Sequence, residues 1–121
     1  MTEAQFKKQV VAYLKDLNRC DFFVKEAKTI RGIADIIGVY AGMPFHLELK
    51  KNLAETKKVS GRIVLQRYRL EQACLCGTLG VFLCPENFDR FKFIFNAYRL
   101  DHCFGIEYRH AYLQKEIDHV A

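Results

Sequence analysis

Two apolar segments that carry charge constrain this chain more than any other feature: Gly32-Ile33-Ala34-Asp35-Ile36-Ile37-Gly38 and Phe45-His46-Leu47-Glu48-Leu49-Lys50. In the second, Phe45, Leu47 and Leu49 alternate with His46, Glu48 and Lys50, the period-2 pattern of a half-buried strand. Glu48 and Lys50 therefore share one face, roughly 6.8 Å apart along it. Gly42 and Pro44 mark a turn, so the run from Ile33 to Tyr40 folds back as the antiparallel neighbour and brings Asp35 to the same end of the sheet. A charge on an apolar strand loses solvation that only a partner charge or a metal returns. Asp35, Glu48 and Lys50 together thus mark a site rather than a core.

Two carboxylates so placed can share one divalent cation. Mg²⁺ takes hard oxygen ligands in octahedral geometry, and Asp35, Glu48 and the Leu49 carbonyl could supply part of that set, with waters and substrate phosphates completing it. A lysine beside it steadies an attacking water or a developing negative charge.

These residues resemble the Asp…Glu-x-Lys signature of the PD-(D/E)XK nuclease superfamily. The longer pattern is Arg31-Gly32-Ile33-Ala34-Asp35-Ile36-Ile37, then Glu48-Leu49-Lys50, a basic stretch, and Gln66 on a helix. It is similar to the VRR-NUC branch, especially its small stand-alone, Holliday-junction-resolvase-like members. The resemblance spans about residues 2–84 and departs from the family at Ala34, where proline is usual. It implies a restriction-endonuclease-like core, Mg²⁺ or Mn²⁺ as cofactor, and DNA as substrate. It also implies a functional Glu3 at the start of the first helix and a Gln66 side chain beside the acidic site.

With 121 residues, no linker and no repeat, the chain is expected to be a single domain, its core about residues 2–84 and a helical extension about 86–121. The net charge of +5, from 19 Lys and Arg against 14 Asp and Glu, suits a polyanionic partner through phosphate contacts. Lys51, Lys57, Lys58, Arg62 and Arg69 are the candidate phosphate contacts. Five cysteines without a C-x-x-C pair, most in apolar surroundings, are read as buried reduced thiols. A zinc site built from His102, Cys103, His110 and His119 does not match the usual ligand spacings. With no apolar leader and no run long enough to span a bilayer, the expected location is the cytoplasm of a bacterial or phage-infected cell, or another intracellular compartment, without membrane contact.

Phe6, Val10, Tyr13, Leu14 and Leu17 recur at helical spacing, with Thr2 as N-cap. A short strand is expected within 22–30, then the two motif strands, then a mobile basic loop over 52–61. The next helix runs over about 62–76 with Ser60 as cap, placing Arg62, Gln66, Arg69 and Ala73 on one polar face. Leu79 to Cys84 is a buried strand, and strand-helix-strand makes it parallel to its partner. The fold class is therefore α/β, a mixed central β-sheet flanked by helices. Phe88, Phe91, Phe95 and Tyr98 form an apolar helix that either covers the sheet or makes an interface.

The function expected from these features is metal-dependent hydrolysis of DNA phosphodiesters, structure-specific on branched or flapped DNA such as a Holliday junction, by a homodimer. The alternatives are a catalytically silent nuclease-like protein that only binds nucleic acid, and a structural protein whose strand charges form an ordinary ion pair.

Overall fold

Thr2 starts the first helix, α1 (Glu3–Asp16), by a reciprocal cap: its hydroxyl accepts from the Gln5 N–H at 3.1 Å, while its own N–H donates to Gln5 Oε1 at 2.8 Å. The spacing of Phe6, Val10 and Leu14 puts all three on one stripe, and all are buried. A computed structural model describes residues 1–26, 33–101 and 110–119.

Three antiparallel strands follow: β1 (Cys20–Val24), β2 (Ile36–Tyr40) and β3 (Met43–Leu49). The first begins two residues earlier than the expected 22–30 and ends at Val24, while residues 27–32 lie outside the described part. Ala41 and Gly42 join β2 to β3 with φ of 48° and 88°, the left-handed conformation that a two-residue hairpin needs to match strand twist.

The expected mobile loop over 52–61 contains a one-turn helix, α2 (Leu53–Thr56). Asn52 caps it by accepting from the Glu55 N–H at 2.9 Å, and Arg67 fastens its end through Nη2 to the carbonyls of Thr56 at 2.8 Å and Lys58 at 3.3 Å. A local side-chain cap and a guanidinium anchor from the next helix thus order a segment that composition alone marks as loop. Ser60 stands at the N-cap of α3 (Gly61–Leu75) but makes no side-chain hydrogen bond there.

The helix α3 crosses over to β4 (Leu79–Leu83), which runs parallel to β3, so the sheet is mixed with order β1-β2-β3-β4. Beyond it lie α4 (Phe88–Asp101) and α5 (His110–Asp118). Phe45, Leu47 and Leu49 of β3 and Leu79, Val81 and Leu83 of β4 point to the face covered by α1 and α4, where the main core lies. Phe88, Phe91 and Phe95 are buried in that core, with the Phe95 ring stacked on Tyr40 at 4.7 Å. For these three rings the choice between core and interface falls to core; Phe93, 68% exposed, points outward.

On the opposite face, among the described residues, α3 packs chiefly on β4 and β3. Its buried stripe is Ile63, Gln66, Leu70 and Cys74, while Leu65, Tyr68 and Leu75 are exposed. The stripe expected from Gln66 and Arg69 is therefore split: Gln66 turns inward and Arg69 stays at the rim. Gly80 permits the close approach, since a Cβ there would lie 2.9 Å from the Leu70 carbonyl oxygen. At the outer edge of β4, the Gln114 amide of α5 accepts from the Phe82 N–H at 2.7 Å and donates to the Phe82 carbonyl at 2.9 Å, standing in for a missing strand.

Cys74 and Cys84 are buried, but Cys76 is exposed, because α3 ends with that position turned to solvent. Of the four residues of the zinc alternative, His119 is exposed, His110 opens α5, and His102 and Cys103 lie outside the described residues. Among the described residues no helix is long and apolar enough to cross a membrane.

Candidate active site

The strand register assembles the site. Val24 pairs with Ile36 and Ile36 with Leu47, so one step further along the sheet Lys25, Asp35 and Glu48 fall into a single cross-strand row. The Lys25 N–H continues the ladder by donating to the Asp35 carbonyl at 2.7 Å. Glu48 in turn pairs with Phe82 of β4. The face of this row is the one opposite the main core, beneath α3.

Asp35 is held by the chain itself: its Oδ2 accepts from the Leu49 N–H at 2.8 Å. The sequence points to Leu49 through its carbonyl; its visible role is to orient the aspartate through its amide. Glu48 is 3% exposed, and its Oε1 accepts from Gln66 Nε2 at 2.9 Å. The Glu48 and Asp35 carboxyls lie within hydrogen-bonding reach of each other. Burial first, and the Asp35 charge second, push Glu48 up to about 8, against the opposing pull of Lys50 and Lys25. A buried carboxyl in contact with a half-buried one needs either a shared proton or a cation between them.

Lys50, 8% exposed, follows Glu48 on the same face, and its backbone N–H donates to the Leu83 carbonyl at 2.8 Å. Gln66 is 7% exposed, and its carbonyl Oε1 is buried without a hydrogen-bond partner among the described residues. Native interiors rarely leave such an acceptor unsatisfied, so a water or ligand is the natural complement. Asp35, Glu48, Lys50 and Gln66 are thus brought together as the spacing and the resemblance anticipated.

Lys25 is a member of the row that sequence reasoning missed. Its Nζ donates to the Ile33 carbonyl at 3.1 Å, and its charge acts on Glu48. Its parity with Phe23 was legible, but nothing in the spacing says which strand lies beside Asp35. Glu3 is exposed in the first turn of α1, where Thr2 and Gln5 do the capping. The neighbouring charges that act on Glu48 are Asp35, Lys50 and Lys25, and Glu3 is not among them.

A cleft of about 600 Å³ opens between β2, β3 and α3, with Ile37, His46, Glu48, Gln66, Arg69 and Ala73 in its walls. Burial lowers the pKa of His46, which favours the neutral imidazole. Of the five basic residues expected to meet phosphate, Arg69 is the one lining this cleft. Lys58 and Lys51 lie 2.9 Å and 3.8 Å from Glu55, which offsets part of their charge. Lys57 lines a second cleft with Arg67, and Arg62 is exposed in the first turn of α3.

The donor set suits a hard divalent cation. No group of three or more His, Cys, Asp or Glu side chains converges among the described residues. The carboxylate ligands would therefore be two, with water, backbone or phosphate oxygens completing the shell as Mg²⁺ prefers. No family model, no curated protein and no solved structure matches this chain.

Proposed function

We propose that this protein is a Mg²⁺- or Mn²⁺-dependent endonuclease that hydrolyses DNA phosphodiesters, with Asp35 and Glu48 holding the cation. One observation carries the reading: two carboxyls in contact, one almost fully buried, flanked by the Lys25 and Lys50 ammonium groups. An ordinary structural ion pair would set each carboxylate against its own cation, whereas here the Glu48 and Asp35 carboxyls lie against each other and Glu48 stays raised in spite of both lysines. The resemblance to the VRR-NUC pattern, in the Asp35, Glu48, Lys50 and Gln66 positions, supports the same reaction.

When bound, the cation polarises a phosphoryl oxygen and lowers the pKa of a water for in-line attack. Gln66 fixes Glu48 through Nε2 and leaves Oε1 to accept from a proton-bearing group, which orients a water against the phosphorus. Lys50 lies where it offsets the charge that builds on the phosphoryl oxygens. Arg69 at the rim holds a neighbouring phosphate. Branched or flapped DNA is the proposed substrate, because a cleft of this size leaves little surface for reading bases. A two-fold pair of chains, presenting two sites to a junction, belongs to the same proposal, and sedimentation at micromolar concentration tests it.

Cleavage of junction, flap, single-stranded and plasmid DNA should appear with Mg²⁺ or Mn²⁺ and vanish in chelator. Asp35→Asn and Glu48→Gln should each lower the rate about a thousandfold or more while DNA binding persists, since the basic surface is untouched. Near-normal cleavage by either variant would remove these carboxylates from the chemistry. Metal-independent binding with no cleavage of any substrate would favour the silent binding protein instead.

A further inference from the structure

The sheet is covered unevenly. On the face of the carboxylate row, α3 lies over β3 and β4, and among the described residues the half formed by β1 and β2 stays open. Phe23 stands on that open half, 69% exposed. It pairs across the ladder with Ile37, which pairs with His46, so these three form a second row directly beside Lys25, Asp35 and Glu48. Cys20 and Phe22, of opposite parity, pack toward the main core, which fixes Phe23 on the site's side.

From this juxtaposition we infer that the row Phe23, Ile37 and His46 holds an unpaired nucleobase of a single DNA strand whose phosphate lies at the carboxylate pair. The inference rests on the nuclease reading above and specifies its substrate: a strand that is unpaired next to the scissile bond. Bases in a duplex are stacked and offer only their edges, so a base must leave the stack to lie against a side-chain platform. A solvent-facing aromatic ring in a β-sheet is the platform used for unstacked bases, and it tolerates any sequence because each base has a π-face. Ile37 and His46 continue the floor into the cleft, where Leu70 and Ala73 form an apolar wall and Arg69 a cationic rim.

Position selects this occupant over a second protein surface. Along the chain the exposed ring lies between Asp21 and Lys25, whose charges offset, and the row leads through Ile37 and His46 into the cleft lined by Arg69, which supplies a cation for a phosphodiester backbone running past a stacked base. A protein partner seated on Phe23 would also close the approach to Asp35 and Glu48.

The test measures binding of the full chain, in EDTA, to a short single strand carrying 2-aminopurine and to a blunt duplex of the same length. Phe23→Ala should weaken single-strand binding about tenfold, the order of one base-aromatic stack, and abolish the 2-aminopurine quenching. Phe23→Trp should restore both, and duplex binding should be the same in all three proteins. Equal losses on duplex and single strand, or no loss on the single strand, would overturn the inference. So would self-association of the native chain that Phe23→Ala abolishes, since the face would then belong to a second copy. Because the readout needs no cleavage, stacked binding without nuclease activity would sustain the base site while removing the proposed reaction.

Discussion

Glu48 shows how one side chain couples the site to stability. Its carboxyl ordinarily titrates near 4.5 and is pushed up to about 8 in the fold, so between those values the folded chain keeps a proton that the unfolded chain has lost. Without metal, this contribution is fully present below about 4.5 and is lost as pH rises through 8. The limiting slope for a single group is about 1.4 kcal/mol per pH unit. Urea titrations in EDTA should therefore show the native chain weakening from pH 5 to pH 8, with Glu48→Gln nearly flat and the more stable of the two at pH 8. Mg²⁺ at pH 8 should recover the native chain and leave the variant little changed. Parallel pH profiles for the two proteins would mean that Glu48 is not held protonated. The shared face of Glu48 and Lys50 was legible in the sequence because a strand's period of two assigns faces. The closeness of the two carboxyls was not, since it depends on the register between strands and on the Leu49 amide that orients Asp35.

Among the elements, α3 decides whether the site is complete, because it brings Gln66 over the sheet. Its seat depends on Gly80 of β4, where an added Cβ would meet the Leu70 carbonyl oxygen at 2.9 Å, backbone that cannot swing away. Gly80→Ala should therefore lift α3, cost about 1–3 kcal/mol in denaturation, and reduce metal-dependent cleavage because Gln66 sits one turn from Leu70. A variant with native stability and native cleavage would show that the helix has slack. The helical spacing in α3 predicts a helix of almost the observed length. It does not reveal that the inward stripe contains a glutamine, because an amphipathic pattern identifies the apolar side and here the buried face includes a polar group with a partner on the sheet. The segment before it departs from the expected loop for a related reason: its anchor, Arg67 on the carbonyls of Thr56 and Lys58, comes from the next helix and not from the segment itself.

At the scale of the whole molecule, the five basic residues expected to meet phosphate are spread out, with Arg69 alone of them lining the cleft. Reversing Lys57, Arg62 and Arg69 together should flatten the salt dependence of duplex binding by roughly 0.9 for each phosphate no longer neutralised. Reversing Lys51 and Lys58 should do less, because Glu55 already offsets part of their charge. Binding constants measured across salt concentrations, at matched folding stability, decide it; an unchanged slope in the triple variant would place the DNA path over another surface. Local pattern determined α1, α3, α4, the four strands in outline, the crossover and hence the parallel pairing of β3 with β4, since periodicity and chain length leave few ways to bury these apolar faces. It also determined which carboxylates stand out. Tertiary structure alone decided that Lys25 joins their row, that Phe23 faces solvent beside them, and that the phenylalanines at 88, 91 and 95 of α4 serve the core. Each of these depends on which surface lies opposite, and a residue's neighbours across a sheet or between layers are set by packing and register that no short stretch of sequence contains.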